Sequence, residues 1–272
     1  MAYKGILGAV AGDIIGSRFE WDNYKAKDFD LITEDCFFTD DSVMTIAIGK
    51  ALLECNGNYD DLSDKTISNM QEIGKQYPDA GYGGSFYAWL FTDNPKPYNS
   101  WGNGSAMKVS ACAYFARSLE EAKELSHKVT EVTHNHPEGL KGAEATTIAT
   151  YMALHGSTKE EIRQHILDNY YDIDFTIDGI RDSYHFDVSC QGSVPQALQA
   201  FFESEDYEDA IRNAISIGGD SDTIAAIAGA VAGAYYGIPE EIKEKSVDYL
   251  SYRLQTIVNN VDERIREIQN GI

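Results

Sequence analysis

The sequence predicts an all-α protein, a compact multi-helix bundle of one domain over residues 1–272. Apolar residues recur at three- and four-residue spacing in segment after segment, the mark of helices with one buried face. Alternating β-branched runs are nearly absent. Pro137, Pro195 and Pro239 each stand where a first helical position would fall, and a proline is tolerated there because that amide has no intrahelical partner.

In chain order the periodic segments are Tyr3–Gly16, Asp40–Glu54, Leu62–Gln76, Ser105–Ala116, Leu119–Val132 and Pro137–Leu154. They continue with Lys159–Asn169, Val194–Glu203, Tyr207–Ile217, Asp222–Tyr236 and Glu240–Gln269. The tyrosine-rich stretch Tyr170–Val188 is the place for irregular or extended chain. Gly8–Gly12 and Gly229–Gly233 both read GAVAG. The match stops there, so it indicates two helices whose glycines let backbones approach closely rather than a repeat. Neither the dinucleotide fingerprint nor a phosphate-binding P-loop is present.

At 43% hydrophobic residues the chain can bury a substantial core, and its net charge is −22. Such a field opposes a phosphate backbone, so neither electrostatic nucleic-acid binding nor attachment to an anionic membrane is expected. The longest apolar run, Ile224–Tyr236, is too short to span a bilayer. Four cysteines without a CxxC pair, and no secretory signal pattern, predict reduced thiols in the cytoplasm. Cys190 has no base beside it in sequence and reads as buried rather than nucleophilic.

Two helix starts carry more acid than a helix start needs. Phe37 opens FFTDDSVM, and Gly218 opens GGDSDTIAAIAGAVAGAYYG. Capping accounts for either alone, since Ser, Thr and Asp are good N-caps worth about 1 kcal/mol each. Together they pose a different problem. If the starts meet, Asp40, Asp41, Asp220 and Asp222 converge, and two such charges about 4 Å apart repel by roughly 4 kcal/mol. The carboxylates must then take up protons or enclose cations, and cations are the simpler solution. Thr39, Thr223 and the carboxylates offer only oxygen, which suits Mg²⁺ or Mn²⁺ rather than zinc. Four carboxylates suit two such ions.

These stretches, with GAVAGDIIGSRFEW, GYGGSFYAWL, SWGNGSAMKVS and VTHNHPEGLKGAEA, occur in one order between residues 5 and 237. In that order the chain resembles the ADP-ribosylglycohydrolase family, which includes the dinitrogenase-reductase-activating glycohydrolases. The resemblance implies an all-helical fold and a binuclear Mg²⁺ (or Mn²⁺) centre. It also implies hydrolysis of the glycosidic bond between ADP-ribose and a modified protein or small molecule. Carried over by motif, the metal ligands are Thr39, Asp40, Asp41, Asp220, Asp222 and Thr223. Glu20 matches a glutamate at the metal centre of some members, and a surface glutamate is the alternative. The expected catalytic groups are Glu20, Asp41 and Asp222, with carboxylates shuttling the proton. Two departures stand out. Lys108 replaces a frequent arginine and loses bidentate geometry, and Asn135 replaces a common proline.

An acidic protein must bind a diphosphate with local donors. The turns at Gly83, Gly84 and Ser85 and at Asn103, Gly104 and Ser105 each precede a predicted helix and offer backbone amides. Flexible turns are the plain alternative. His134 lies near ADP-ribose by resemblance. The pair His134 and His136 has no further His or Cys nearby to complete a zinc site. Tyr82, Phe86 and Tyr235 are candidates for stacking on adenine, or core residues. A Mg²⁺-dependent phosphoesterase and a non-catalytic ADP-ribose-binding module fit the same residues. The acceptor (arginine, serine, a base or a metabolite) and the oligomeric state stay open at this stage.

Overall fold

The computed structural model describes residues 3–271. The described residues form fourteen α-helices and two 3₁₀ turns, with no strand and two isolated bridges. The helices are α1 (Leu7–Gly16), α2 (Asp40–Cys55), α3 (Leu62–Gly74), α4 (Gly84–Leu90) and α5 (Ser110–Phe115). Next come α6 (Leu119–Thr130), α7 (Pro137–Leu154), α8 (Lys159–Asn169), α9 (Ile177–Ile180) and α10 (Cys190–Glu203). The series ends with α11 (Tyr207–Ile215), α12 (Ser221–Tyr236), α13 (Glu240–Tyr249) and α14 (Tyr252–Gln269).

Helices α1 and α12 lie at the centre and are buried almost throughout. Their glycines make this possible. A Cβ on Gly8 would stand 2.6 Å from the Gly229 carbonyl oxygen, and one on Gly16 would stand 2.6 Å from the Asp222 Cα. One on Gly12 would collide with the Ala225 backbone. The GAVAG segments are therefore two faces of one seam, and Tyr207 closes it by donating from its hydroxyl to the Gly8 carbonyl at 2.7 Å. Around the seam one continuous apolar cluster takes residues from nearly every helix.

Several predicted boundaries move, each for a local reason. Tyr3 pairs with Ile238 as a bridge, so α1 starts only at Leu7. Ser189 accepts the Gly192 amide and starts α10 four residues before the predicted Val194. Pro195 consequently lies inside α10, not at its first position, and the carbonyl it leaves unpaired belongs to exposed Gln191. Pro239 is the N-cap residue of α13 rather than its first turn. The predicted helix Glu240–Gln269 breaks at Leu250, because Ser251 caps a new helix and accepts the Leu254 amide. The predicted helix from Ser105 becomes a 3₁₀ turn at Asn103–Ser105, an irregular turn through Lys108, and the short α5.

Gly12→Ala is expected to cost on the order of 3 kcal/mol of unfolding free energy, because the obstructing atoms are backbone and cannot rotate away. A urea titration reads this as a lower midpoint at unchanged slope.

Candidate active site

The first turns of α2 and α12 meet at the open end of the central seam. Thr39 caps α2, its hydroxyl accepting the Asp41 amide at 3.3 Å. Asp40 and Asp41 follow in the first turn, and their carboxylates are not the cap. Gly218 and Gly219, both at positive φ, turn the chain into α12. Asp220 occupies the cap position there without making a capping hydrogen bond. Capping therefore leaves these carboxylates unexplained.

The two starts touch. Thr223 donates its hydroxyl to Asp41 Oδ2 at 3.2 Å. Carboxylate oxygens of Asp13, Asp41 and Asp222 lie within 4.8 Å of one another, as do those of Glu20, Asp220 and Asp222. Asp41 Oδ1 is buried and has no hydrogen-bond partner. Asn103 donates from Nδ2 to Asp220 Oδ2 at 2.6 Å and so fixes that carboxylate.

Asp13 is the residue that sequence reasoning missed. It sits in the middle of α1, fully buried, beside a glycine face that by itself suggests only packing. Its Oδ2 accepts the Thr39 amide at 3.0 Å and the Ser42 amide at 3.1 Å, and the Ser42 hydroxyl as well. Its Oδ1 accepts the Thr39 hydroxyl at 2.6 Å. One carboxylate of α1 thus caps α2 from outside and adds a fifth aspartate to the group. The available signal was an acid inside an otherwise apolar helix, which burial permits only where partners wait.

Burial raises every carboxylate here. It lifts Asp40 to about 8, helped by the charge of Asp13, and Glu20 to about 7, helped by Asp220. Asp13 rises to about 6, against the pull of its hydrogen bonds. Asp41 and Asp222 lie well above the ordinary range, through burial first and their acidic neighbours second, and Asp220 is raised by burial.

Glu20, Asp40, Asp41, Asp220 and Asp222 line a cavity of about 590 Å³, and the fully buried Asp13 is not part of its wall. Gly83, Gly84 and Ser85 also line it, as do Asn103, Gly104 and His134. Ser105 does not. It is fully buried behind the wall, its hydroxyl donating to the Gly102 carbonyl at 3.1 Å and lying 3.0 Å from Cys190 Sγ. Phe86 lines the cavity, whereas Tyr235 packs edge-on against Phe201 among core residues and is not part of its wall. His136 spends Nδ1 on the Glu138 amide as the cap of α7. Cys190 is buried and its thiol is pushed up to about 12. At the mouth beside Glu20, Trp21 stacks on Phe186 with ring centroids 5.1 Å apart, and both remain largely exposed.

The family model described as ADP-ribosylglycohydrolase matches residues 2–270. The chain belongs to the ADP-ribosylglycohydrolase family. It is 26% identical to the human ADP-ribosylhydrolase ARH3, over 91% of this chain and 89% of that protein. It is 28% identical to the ADP-ribosylarginine hydrolase Tri1 of Pseudomonas putida, over 61% of this chain and 47% of that protein. Among solved structures, an ADP-ribosylglycohydrolase-related protein complex shares the fold with a TM-score of 0.67 and 22% identity, over 95% of each chain. The family is one of glycohydrolases, so the chain is an enzyme of that class. No helix among the described residues is long and apolar enough to cross a membrane.

The raised carboxylates fix the sign of one pH effect. An acid whose folded pKa exceeds its unfolded value holds its proton longer when folded, so stability present at low pH is lost as pH rises. For the metal-free chain the window runs from about 4, the unfolded value, through about 6 for Asp13 to about 8 for Asp40. The melting temperature in EDTA is expected to fall between pH 5 and 8. Added Mg²⁺ should raise it more at pH 8 than at pH 5, with a smaller difference in Asp41→Asn.

Proposed function

We propose that this chain hydrolyses the glycosidic bond between ADP-ribose and a modified acceptor, releasing ADP-ribose, at a divalent-metal centre. The observation that carries the proposal is that Asp41, Asp220, Asp222 and Glu20 line one cavity, with the buried Asp13 carboxylate beside those of Asp41 and Asp222. The donor set fits hard cations. It is all oxygen, it is buried, and Asp41 Oδ1 has no other partner. Thr39, Asp40, Asp41, Asp220, Asp222 and Thr223 would hold two ions, Mg²⁺ or Mn²⁺. Bound there, the ions supply positive charge that binds ribose hydroxyls and makes water a better nucleophile at neutral pH.

The chain's own groups do the rest. Glu20, on the turn that continues α1, is half-buried at the rim, and its pKa of about 7 lets it exchange a proton near neutrality. Asp41 and Asp222 face each other across the floor and favour positive charge developing on the sugar as the acceptor departs. Asn103 and Thr223 hold Asp220 and Asp41 in fixed orientations. The acceptor leaves past Trp21 and Phe186, whose exposed rings beside the acids suit a planar, cationic group such as a guanidinium. The similarity to an ADP-ribosylarginine hydrolase supports that class of acceptor.

Asp222→Ala is expected to lower Mg²⁺-dependent release of ADP-ribose at least about a hundredfold, since even loss of a group behind a ligand costs about 10- to 100-fold. The assay compares ADP-ribosylated arginine, serine and nucleotide substrates with Mg²⁺ and with EDTA. Recovery of AMP or free phosphate in place of intact ADP-ribose would replace this reading with a phosphoesterase. Binding without turnover would make the chain a recognition module.

A further inference from the structure

We infer that Lys25 is a positioning residue that ties the Glu20 loop to the chain entering α12 and to the segment carrying Phe186. The acid that handles the proton, the turn before Asp220 and the aromatic mouth are thereby held as one unit. The inference rests on the reading of Glu20 as the group that moves the proton, and it names what keeps that group in place.

Glu20 follows the 3₁₀ turn Ser17–Phe19, and beyond it the chain has no regular element until α2. Its carboxylate stands beside those of Asp220 and Asp222, whose charge pushes it outward unless its loop is held. Asp220 has a hold of its own, the Asn103 amide at 2.6 Å.

Lys25 holds the loop. Its Nζ donates to the main-chain carbonyls of Tyr184, at 2.6 Å, and of Ile217. Both acceptors are main chain, so neither can rotate away as a side-chain partner would. Ile217 lies just past the C-terminus of α11, where the helix dipole favours a cation. Protonated or neutral, the amine has donors enough for both carbonyls.

Three segments interlock around this point. Asn23 Oδ1 accepts the Gly219 amide at 3.3 Å. A Cβ on Gly218 would stand 2.5 Å from that same Oδ1, and one on Gly219 would stand 2.6 Å from Cε1 of Tyr184. The turn into α12 is therefore packed against both the Glu20 loop and Tyr184, whose hydroxyl is fixed by the Gly192 carbonyl at 2.7 Å. At the mouth the same two segments meet again through the Trp21–Phe186 stack. Stacked rings tolerate sliding, and a lysine that spans two carbonyls fixes the register they leave free. Lys27 provides the contrast. It lies on the same loop and pairs with Asp209 of α11 at 2.6 Å, and neither residue lines the cavity.

The test is a double-mutant cycle on Mg²⁺-loaded protein, with the ADP-ribosylated substrate that the wild type turns over fastest. Lys25→Met is expected to lower kcat about tenfold to a hundredfold, as loss of a group behind a site residue does, with KM nearly unchanged. In a Glu20→Gln background the same substitution should change kcat little, because Lys25 acts through Glu20. Lys27→Met should leave kcat as it is. Hydrogen exchange gives a readout independent of turnover: the Gly219 amide and those of residues 184–188 should exchange faster in Lys25→Met than in wild type or Lys27→Met. Lys25→Gln, one atom shorter, serves if the methionine variant does not fold. Equal losses in the two backgrounds, an equal loss in Lys27→Met, or unchanged exchange at Gly219 overturn the inference. A wild type that hydrolyses no ADP-ribosyl bond overturns the proposed function instead, and exchange alone then decides whether Lys25 holds the loop.

Discussion

The backbone contact between α1 and α12 is the constraint on which the rest of the molecule depends. Glycine within a helix costs roughly 0.5–1 kcal/mol relative to alanine, and this seam uses glycine repeatedly. In return, two helix axes come closer than side chains would allow, with Gly16 facing the backbone of Asp222 itself. That closeness puts the middle of one helix beside the first turn of the other. Asp13 and Asp222, far apart in the chain, become neighbours because nothing larger than hydrogen separates the segments that carry them. A looser helix pair could retain its core and still lose the site.

What the seam forces together, electrostatics opposes. Each of these carboxylates is buried or partly buried and each has its proton affinity raised, so the fold alone gives no reason for the cluster to exist. Local consistency is broken where these acids gather, which is how a functional site differs from a packing solution. The division of labour among side chains points the same way. Threonine does the capping at α2, and Asp13 reaches across from α1 to satisfy a further amide. The aspartates in the first turns of α2 and α12 are left with oxygens to spare.

Most of the helical architecture was legible because its signals are local. Pro137–Leu154 and Lys159–Asn169 match the periodic segments to the residue; the first opens on its proline, and the structure starts the second with a Thr158–Glu161 capping box. The acidic starts were legible because two similar oddities in one chain are harder to dismiss than one. Losses came where a local signal had two meanings. Ser251 looked like one more polar residue on a long helix and is a cap. Pro195 looked like a start and is tolerated within a helix. Asp13 and Lys108 were undervalued because the sequence shows that a charge is present, not that it is buried. The side chain of Asn103 was treated as part of a turn, although only the tertiary fold brings Asp220 within its reach.

The direction of the helices completes the electrostatic argument. Helices α2 and α12 both present their N-termini to the cavity, and the positive end of a helix dipole favours a nearby carboxylate by about 0.3–1 kcal/mol. Two such ends moderate the repulsion without cancelling it, since one pair of charges about 4 Å apart already opposes them by roughly 4 kcal/mol. The arrangement is thus tuned short of neutrality. Enough positive potential is built in to let the acids gather, and enough negative charge is left over for cations to be held strongly. A site neutralised by lysines would hold its own carboxylates and bind no metal. Among the described residues Lys108 is the buried lysine, and it lies at ion-pair distance from no carboxylate, so the deficit at the helix starts remains for a ligand to fill.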